Sequence, residues 1–154
     1  MEIFRITKKS FANLEGVGGL YYPGRWHEKG YRVLYASQHR SLAALEYLVH
    51  LSSINLIGND FVITTIFIPD DIPALTLPKH LLGSKWENVN YLSTTQKCGT
   101  KFLTENKYLI LKVPSAIIKQ EHNYIINPAN NNINLCKVTA IEPFMFDKRL
   151  SERT

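Results

Sequence analysis

Short apolar runs separated by polar punctuation dominate the chain. EIFRIT (2–7), RVLYAS (32–37), FVITTIFI (61–68), YLILKV (108–113) and NYII (123–126) are rich in β-branched and aromatic residues and bounded by Gly, Pro, Asn or Ser. That pattern predicts strands. INLCKVTAIEPFMF (133–146) predicts one or two more, broken near Pro143 because proline cannot donate to a ladder. Helical periodicity is clearest in SLAALEYLVHLSS (41–53), where Leu42, Leu45, Leu48, Val49 and Leu51 make a broad apolar face and Ser41 is placed to cap the N-terminus. TTQKCGTKFLTEN (94–106) predicts a second helix, weakened by Gly99, which costs about 1 kcal/mol against Ala in a helix interior. Strands mixed with a few helices, without regular βαβ alternation, predict an α+β fold. With no internal repeat or linker, 154 residues are expected to form one domain spanning 1–154. A chain of this length buries roughly two thirds of its unfolded surface and needs no disulfide staple.

Composition changes this picture little: 45% hydrophobic and 20% charged residues are globular values, and the longest polar run, NPANNNIN (127–134), is too short for a disordered tail. Charged residues interrupt the opening MEIFRITKK, so it reads neither as a signal peptide nor as a membrane span, and a cytoplasmic location is expected. Cys98 and Cys136 lie 38 residues apart with no CxxC pair, which fits reduced thiols better than a disulfide frame or zinc site. The net charge of +5 is uneven: residues 1–40 hold seven Lys/Arg against three Glu. Those charges stand singly among Gly and Tyr, with no basic helix to read bases, and a basic pocket for a small anion accounts for them as well as nucleic acid or plain solvation does.

Several residues are candidates for chemistry. Glu46 sits inside the 41–53 helix, four residues after Leu42 and three before Val49, so it falls on or beside the buried stripe. It is either a rim glutamate with its head in water or a pocket carboxylate that binds a hydroxyl or stabilises a cation. Arg25, between Gly24 and Trp26, offers a planar fork suited to phosphate, or is an exposed turn arginine. Tyr35 lies in the strand just before the helix that carries Glu46, and can stack on a flat heterocycle or fill core. Ser115 follows Pro114 at a strand end, without the Gly-x-Ser-x-Gly elbow of a hydrolase nucleophile. Asn123 and Asn127 flank a short strand and either pin loop backbone or contact a ligand. Gly16, Gly18 and Gly19 fail as a dinucleotide fingerprint because Tyr21 takes the third glycine position. Five histidines show no HxH or HExxH spacing, so no metal site is expected.

The order of these segments is more specific than any one of them: a glycine-rich stretch into GRW, a strand ending LYAS, the helix SLAALEYLVHL, then KVPSAI and NYIINP. That order resembles the RES domain family, the toxin partners of bacterial RES–Xre toxin–antitoxin pairs, from FRI near residue 4 to FDKRL at 146–150. The resemblance implies a compact α+β domain with a mixed β core, similar to ADP-ribosyltransferases, that takes NAD as substrate, without cofactor or metal, and cleaves its nicotinamide–ribose bond. The family's arginine, tyrosine, glutamate and serine map to Arg25, Tyr35, Glu46 and Ser115, and its asparagine to Asn123. Glu46, Arg25 and Tyr35 are the implied catalytic residues, and Arg25, Tyr35, Ser115 and Asn123 the implied substrate-binding ones. Water, phosphate or a protein side chain remains open as acceptor. The implied partner is an Xre-like antitoxin that blocks the pocket, with no direct contact of this chain to nucleic acid or membrane; an apolar pocket rim also leaves self-association open. Two departures stand out: Ala129 and Asn130 replace the histidine and proline usual after NP, and His27 stands where asparagine more often follows GRW.

Overall fold

The computed structural model of the chain describes residues 1–51, 60–83, 86–88 and 93–150. Among them, seven strands form one sheet in the order β4-β5-β6-β2-β1-β3-β7. The strands are β1 (Glu2–Lys8), β2 (Leu34–Ser37), β3 (Phe61–Phe67), β4 (Ala74–Thr76), β5 (Ile110–Pro114), β6 (His122–Ile126) and β7 (Lys137–Pro143). Three helices accompany them: α1 (Gly18–Tyr21), α2 (Arg40–Leu48) and α3 (Ser93–Glu105). All neighbours pair antiparallel except β4 and β5, so the sheet is mixed and the fold is α+β, as expected.

The alternation of side chains across this sheet creates two unlike faces. On one, Ile3, Leu34, Ile66, Ile110 and Ile126 form a continuous core across both halves of the sheet. On the other, the apolar surface is divided. Leu111, Val113 and Ile125 pack with Trp26, Phe102 and Leu103, which brings α3 against one half. Ile6, Phe61 and Ile63 pack with Ala43, which brings α2 against the other. The two halves meet where β1 and β2 register through a single pair, Phe4 with Ser37, whereas β1 and β3 register through seven. β1 and β2 diverge beyond that pair, and a cavity opens between the halves on the divided face.

Several elements differ from expectation, each for a local reason. α2 begins at Arg40, so Ser41 is not its cap; His39 occupies that position without a side-chain cap bond. Arg40 fixes the start instead, pairing with Glu142 at 2.6 Å, donating to Thr65 Oγ1 at 3.0 Å and lying over the Phe4 ring. α2 ends at Leu48, followed by single-turn bonds from His50 to Tyr47 and from Leu51 to Leu48; Ser52 and Ser53 lie outside the described residues. Its buried stripe holds Leu42 and Ala43, while Leu45 and Val49, expected in the apolar face, are exposed. Residues 133–135, read as strand, belong to a 3-10 turn over Asn131–Leu135, because the Asn130 side chain accepts from the Asn132 N–H and caps it. β7 then ends at Pro143, where proline was expected to stop it. The three-residue edge strand β4 was not anticipated.

Gly99, the weak point of the second helix by propensity, has a packing role. A Cβ there would collide with the Trp26 carbonyl, so only glycine lets α3 close on the 24–28 segment. The same helix face supplies Gln96, whose amide donates to the Gly24 carbonyl at 3.0 Å, and Thr100, whose hydroxyl accepts from the Glu28 N–H at 2.9 Å. Gly99→Ala is therefore expected to destabilise the protein by about 1–3 kcal/mol, as overpacking does, despite a helix-propensity gain of about 1 kcal/mol. Urea unfolding measures the sign; a stabilised variant would contradict the packing.

Candidate active site

The cavity between the two halves has a volume of about 400 Å³, within the range of small-molecule sites. Arg25, Tyr35, Glu46 and Asn123, four of the five residues the family resemblance implies for the site, line it. Side chains of paired antiparallel residues point the same way, so Phe4, Ser37, Asn123 and Val113 form a row across β1, β2, β6 and β5 at the junction of the halves. α2 lies over this row and delivers Glu46 to it.

Glu46 is half-buried and firmly held. Its Oε1 accepts from the Ser115 hydroxyl at 2.8 Å and from the Asn123 amide at 2.5 Å. The Asn123 carbonyl in turn accepts from the Ser37 hydroxyl at 2.7 Å, which fixes the amide so that its NH₂ faces the carboxylate. Both donors fall on one oxygen, and neither occupies Oε2. Ser115 is fully buried and absent from the cavity wall. Its oxygen also accepts from the Ile117 and Ile118 N–H groups, each at 3.0 Å, so the turn after β5 aims its proton at Glu46. The expected direct contact of Ser115 with substrate thus gives way to a role behind the carboxylate. Asn127 goes the other way from Asn123: its amide donates to the Leu103 carbonyl and Asn106 Oδ1, and its own oxygen caps the Ala129 N–H. It pins the loop that follows β6.

Arg25 and Trp26 occupy the middle of a turn closed by a bond from the Gly24 N–H to the His27 carbonyl at 3.1 Å. The Arg25 guanidinium donates to the Trp86 carbonyl at 2.6 Å and the Asn88 carbonyl at 3.1 Å, and the Trp26 ring tilts against the Trp86 ring with centroids 5.8 Å apart. Consecutive residues thus grip the same stretch. The carbonyls orient the guanidinium. The Tyr35 hydroxyl meets the turn from the other side, accepting from the Trp26 N–H at 3.1 Å. A Cβ at Gly24 would stand 2.5 Å from that hydroxyl, which explains glycine before the arginine.

A family model described as the RES domain matches residues 2–147. The chain belongs to the RES domain family. Among RES relatives, a protein named Toxin Res from Pseudomonas putida is 36% identical over 97% of this chain and 99% of its own length. Another Toxin Res, from Yersinia enterocolitica, is 31% identical over 97% of this chain and 99% of its own. A Prs ADP-ribosylating toxin from a Sphingobium species is 32% identical over 90% of this chain and 86% of its own. The crystal structure of the M. tuberculosis MbcT–MbcA toxin–antitoxin complex superposes with a TM-score of 0.74 at 15% identity, covering 98% of this chain and 86% of the matched one. That likeness is one of fold.

Within this RES domain the cavity wall includes residues to which the sequence reading gave no role, among them Arg5, His27, Tyr47 and His50. Arg5 donates to the Phe11 carbonyl at 2.7 Å, and burial pushes its guanidinium down to about 10, still a cation at neutral pH. In EIFRIT, Arg5 alternates with Ile3, so its side chain shares the face of the continuous core and only its stretch of β1 borders the cavity. His27 is buried, and burial lowers its pKa from the ordinary 6.5. Among the described residues no group of three or more His, Cys, Asp or Glu could hold a metal ion. No helix among them is long and apolar enough to cross a membrane.

The depressed His27 fixes a sign for stability. The folded protein binds its proton less readily than the unfolded chain, so stability is full above pH 6.5 and falls as pH drops from there through the folded value. His122 is shifted the same way, by burial and by Lys112 and Lys79, and adds to the trend. The melting temperature is expected to decrease from pH 7.5 to 5.5, and His27→Asn to flatten that slope. A wild-type profile without the slope would place His27 in water.

Proposed function

We propose that this chain is the toxin of a toxin–antitoxin pair and acts by cleaving the nicotinamide–ribose bond of NAD, with water or phosphate as acceptor. The observation that carries the reading is Glu46: a carboxylate at the junction of two half-sheets, in the cavity wall, oriented by two donors on the same oxygen. In the reaction the bond from ribose C1′ to the nicotinamide nitrogen breaks, and its electron pair leaves with nicotinamide, which becomes neutral. Positive charge passes to the ribose, as in glycoside cleavage, until water or phosphate adds at C1′ and water gives up a proton. A fixed carboxylate stabilises that charge without having to reorganise. Arg25 supplies the cation for the pyrophosphate, and Tyr35 the aromatic wall for a flat base. Arg25 is set in a cavity wall instead of an open face, which weighs against a nucleic-acid-binding module.

The partner is an Xre-like antitoxin that covers the cavity in the cytoplasm, a reading supported by the similar fold solved as a toxin–antitoxin complex. A second reading, transfer of ADP-ribose to a specific protein, is favoured by the name of the Sphingobium relative. The two differ in where the adenosine part of NAD ends: free as ADP-ribose or its 1″-phosphate, or bound to protein.

Purified protein incubated with NAD, with and without phosphate, is expected to release nicotinamide, followed by chromatography. Glu46→Gln keeps the shape and removes the charge, and is expected to lower the rate about 10²–10³-fold, the scale of losing one preorganised electrostatic stabiliser. Ser115→Ala, which frees one of the two donors, is expected to lower it about tenfold. A folded Glu46→Gln protein that cleaves NAD at the wild-type rate would overturn the assignment.

A further inference from the structure

His27 is 3% exposed, and both ring nitrogens have hydrogen-bond partners. Nε2 lies 3.0 Å from the Tyr22 carbonyl, which can only accept, so Nε2 carries the proton. Burial keeps the ring neutral, and a neutral imidazole has one N–H, so Nδ1 presents a lone pair. Nδ1 lies 2.7 Å from the Tyr35 hydroxyl, which must therefore donate to it. The same hydroxyl accepts from the Trp26 N–H at 3.1 Å. One proton given and one N–H received fix the C–O bond in its plane, and with it the phenol ring on the cavity wall. Tyr35 presents its ring to the cavity, with its hydroxyl proton committed to histidine.

We propose that His27 is a positioning residue: as the Nε2–H tautomer it takes the hydroxyl proton of Tyr35 at Nδ1 and holds the Tyr35 ring as a fixed platform for the flat ring of the substrate. The ligand half of this proposal rests on the NAD-cleaving reading, whereas the tautomer does not. Its consequence for that reading is that Tyr35 acts through its π face and is not the proton donor to a leaving group.

Two substitutions separate the nitrogens. His27→Asn puts a side-chain oxygen near the place of Nδ1 and can still accept from Tyr35, while losing the bond to Tyr22. His27→Gln reaches the place of Nε2 and can still donate to the Tyr22 carbonyl, while losing the acceptor for Tyr35. In nicotinamide release, His27→Asn is expected to keep kcat/KM within about threefold of wild type. His27→Gln and Tyr35→Phe are each expected to lose about tenfold, mainly through KM, the scale of one lost hydrogen bond. The double variant, His27→Gln with Tyr35→Phe, should lose no more than Tyr35→Phe alone, because the phenylalanine already removes the His27 bond along with the one from the Trp26 N–H. Long-range 1H–15N spectra of histidine-labelled full-length protein at pH 7.5 supply a readout independent of turnover: wild-type His27 should show a protonated Nε2 and a hydrogen-bonded, unprotonated Nδ1. Tyr35→Phe should move the Nδ1 resonance toward that of a free lone pair. A protonated Nδ1 in the wild type, or equal losses in His27→Asn and His27→Gln, would overturn the proposal. If wild-type protein releases no nicotinamide, the NAD reading fails, and the spectra alone then uphold or overturn the His27–Tyr35 lock.

Discussion

A carboxylate taken partly out of water needs hydrogen-bond donors, and Glu46 can find them only if distant parts of the chain meet. Ser115 and Asn123 are 69 and 77 residues away in sequence. For both to reach one oxygen, β6 must lie beside β2, the turn after β5 must close on itself, and α2 must cross the junction of the half-sheets. The buried Ser37–Asn123 bond ties the first of these conditions to the sheet, and the two backbone donors on Ser115 Oγ meet the second. Arg40 meets the third by joining the start of α2 to β3, β7 and Phe4. The fold thus converges on one oxygen atom.

The opposite wall depends on a different constraint, the close approach of two backbones. Gly99 lets α3 touch the Trp26 carbonyl, and Gln96 and Thr100, three residues before and one after it, bind either side of the same turn. The turn then presents Arg25 and Trp26 in one direction and His27 in the other. α2 carries charge to the site, while α3 carries none and sets the shape of the segment facing it. Helices of such different character covering two halves of one sheet face leave a gap, and the gap is the cavity.

Much of this was legible in the sequence because period-two alternation and β-branched runs leave a plain mark: six of the seven strands overlap the runs predicted for them, three of them lying wholly inside. β4 left no such mark. Its three residues are all exposed, so burial imposed no pattern on them. The 3-10 turn at Asn131–Leu135 was hidden for the opposite reason: Ile133 and Leu135 look like strand, and side-chain capping from Asn130 decided the outcome. At the site, spacing on α2 placed Glu46 correctly beside the buried stripe. It could not say that Ser115 stands behind the carboxylate, because which of two neighbours faces the cavity depends on a turn geometry that spacing does not encode. The role of His27 was missed because a lone histidine without a metal-binding spacing gives no signal, and its partner Tyr35 lies across a loop. Gly99 was read by propensity as a weakness, since propensity is blind to what packs against the helix.

On the NAD-cleaving reading, the unequal treatment of the two Glu46 oxygens bears on how the site gains rate. Substrate already carries a positive charge on the nicotinamide ring before reaction, so a carboxylate beside that ring would stabilise the ground state as much as the transition state. Only a carboxylate nearer the ribose gains interaction energy as the charge moves from ring nitrogen to sugar. Tyr35, an uncharged ring locked in place, is suited to the nicotinamide end because stacking on it does not depend on a formal charge of its own. Glu46 is suited to the ribose end because Ser115 and Asn123 hold Oε1 and neither donor takes Oε2. Exchanging the two, with charge under the ring and an aromatic under the sugar, would bind NAD and leave it intact.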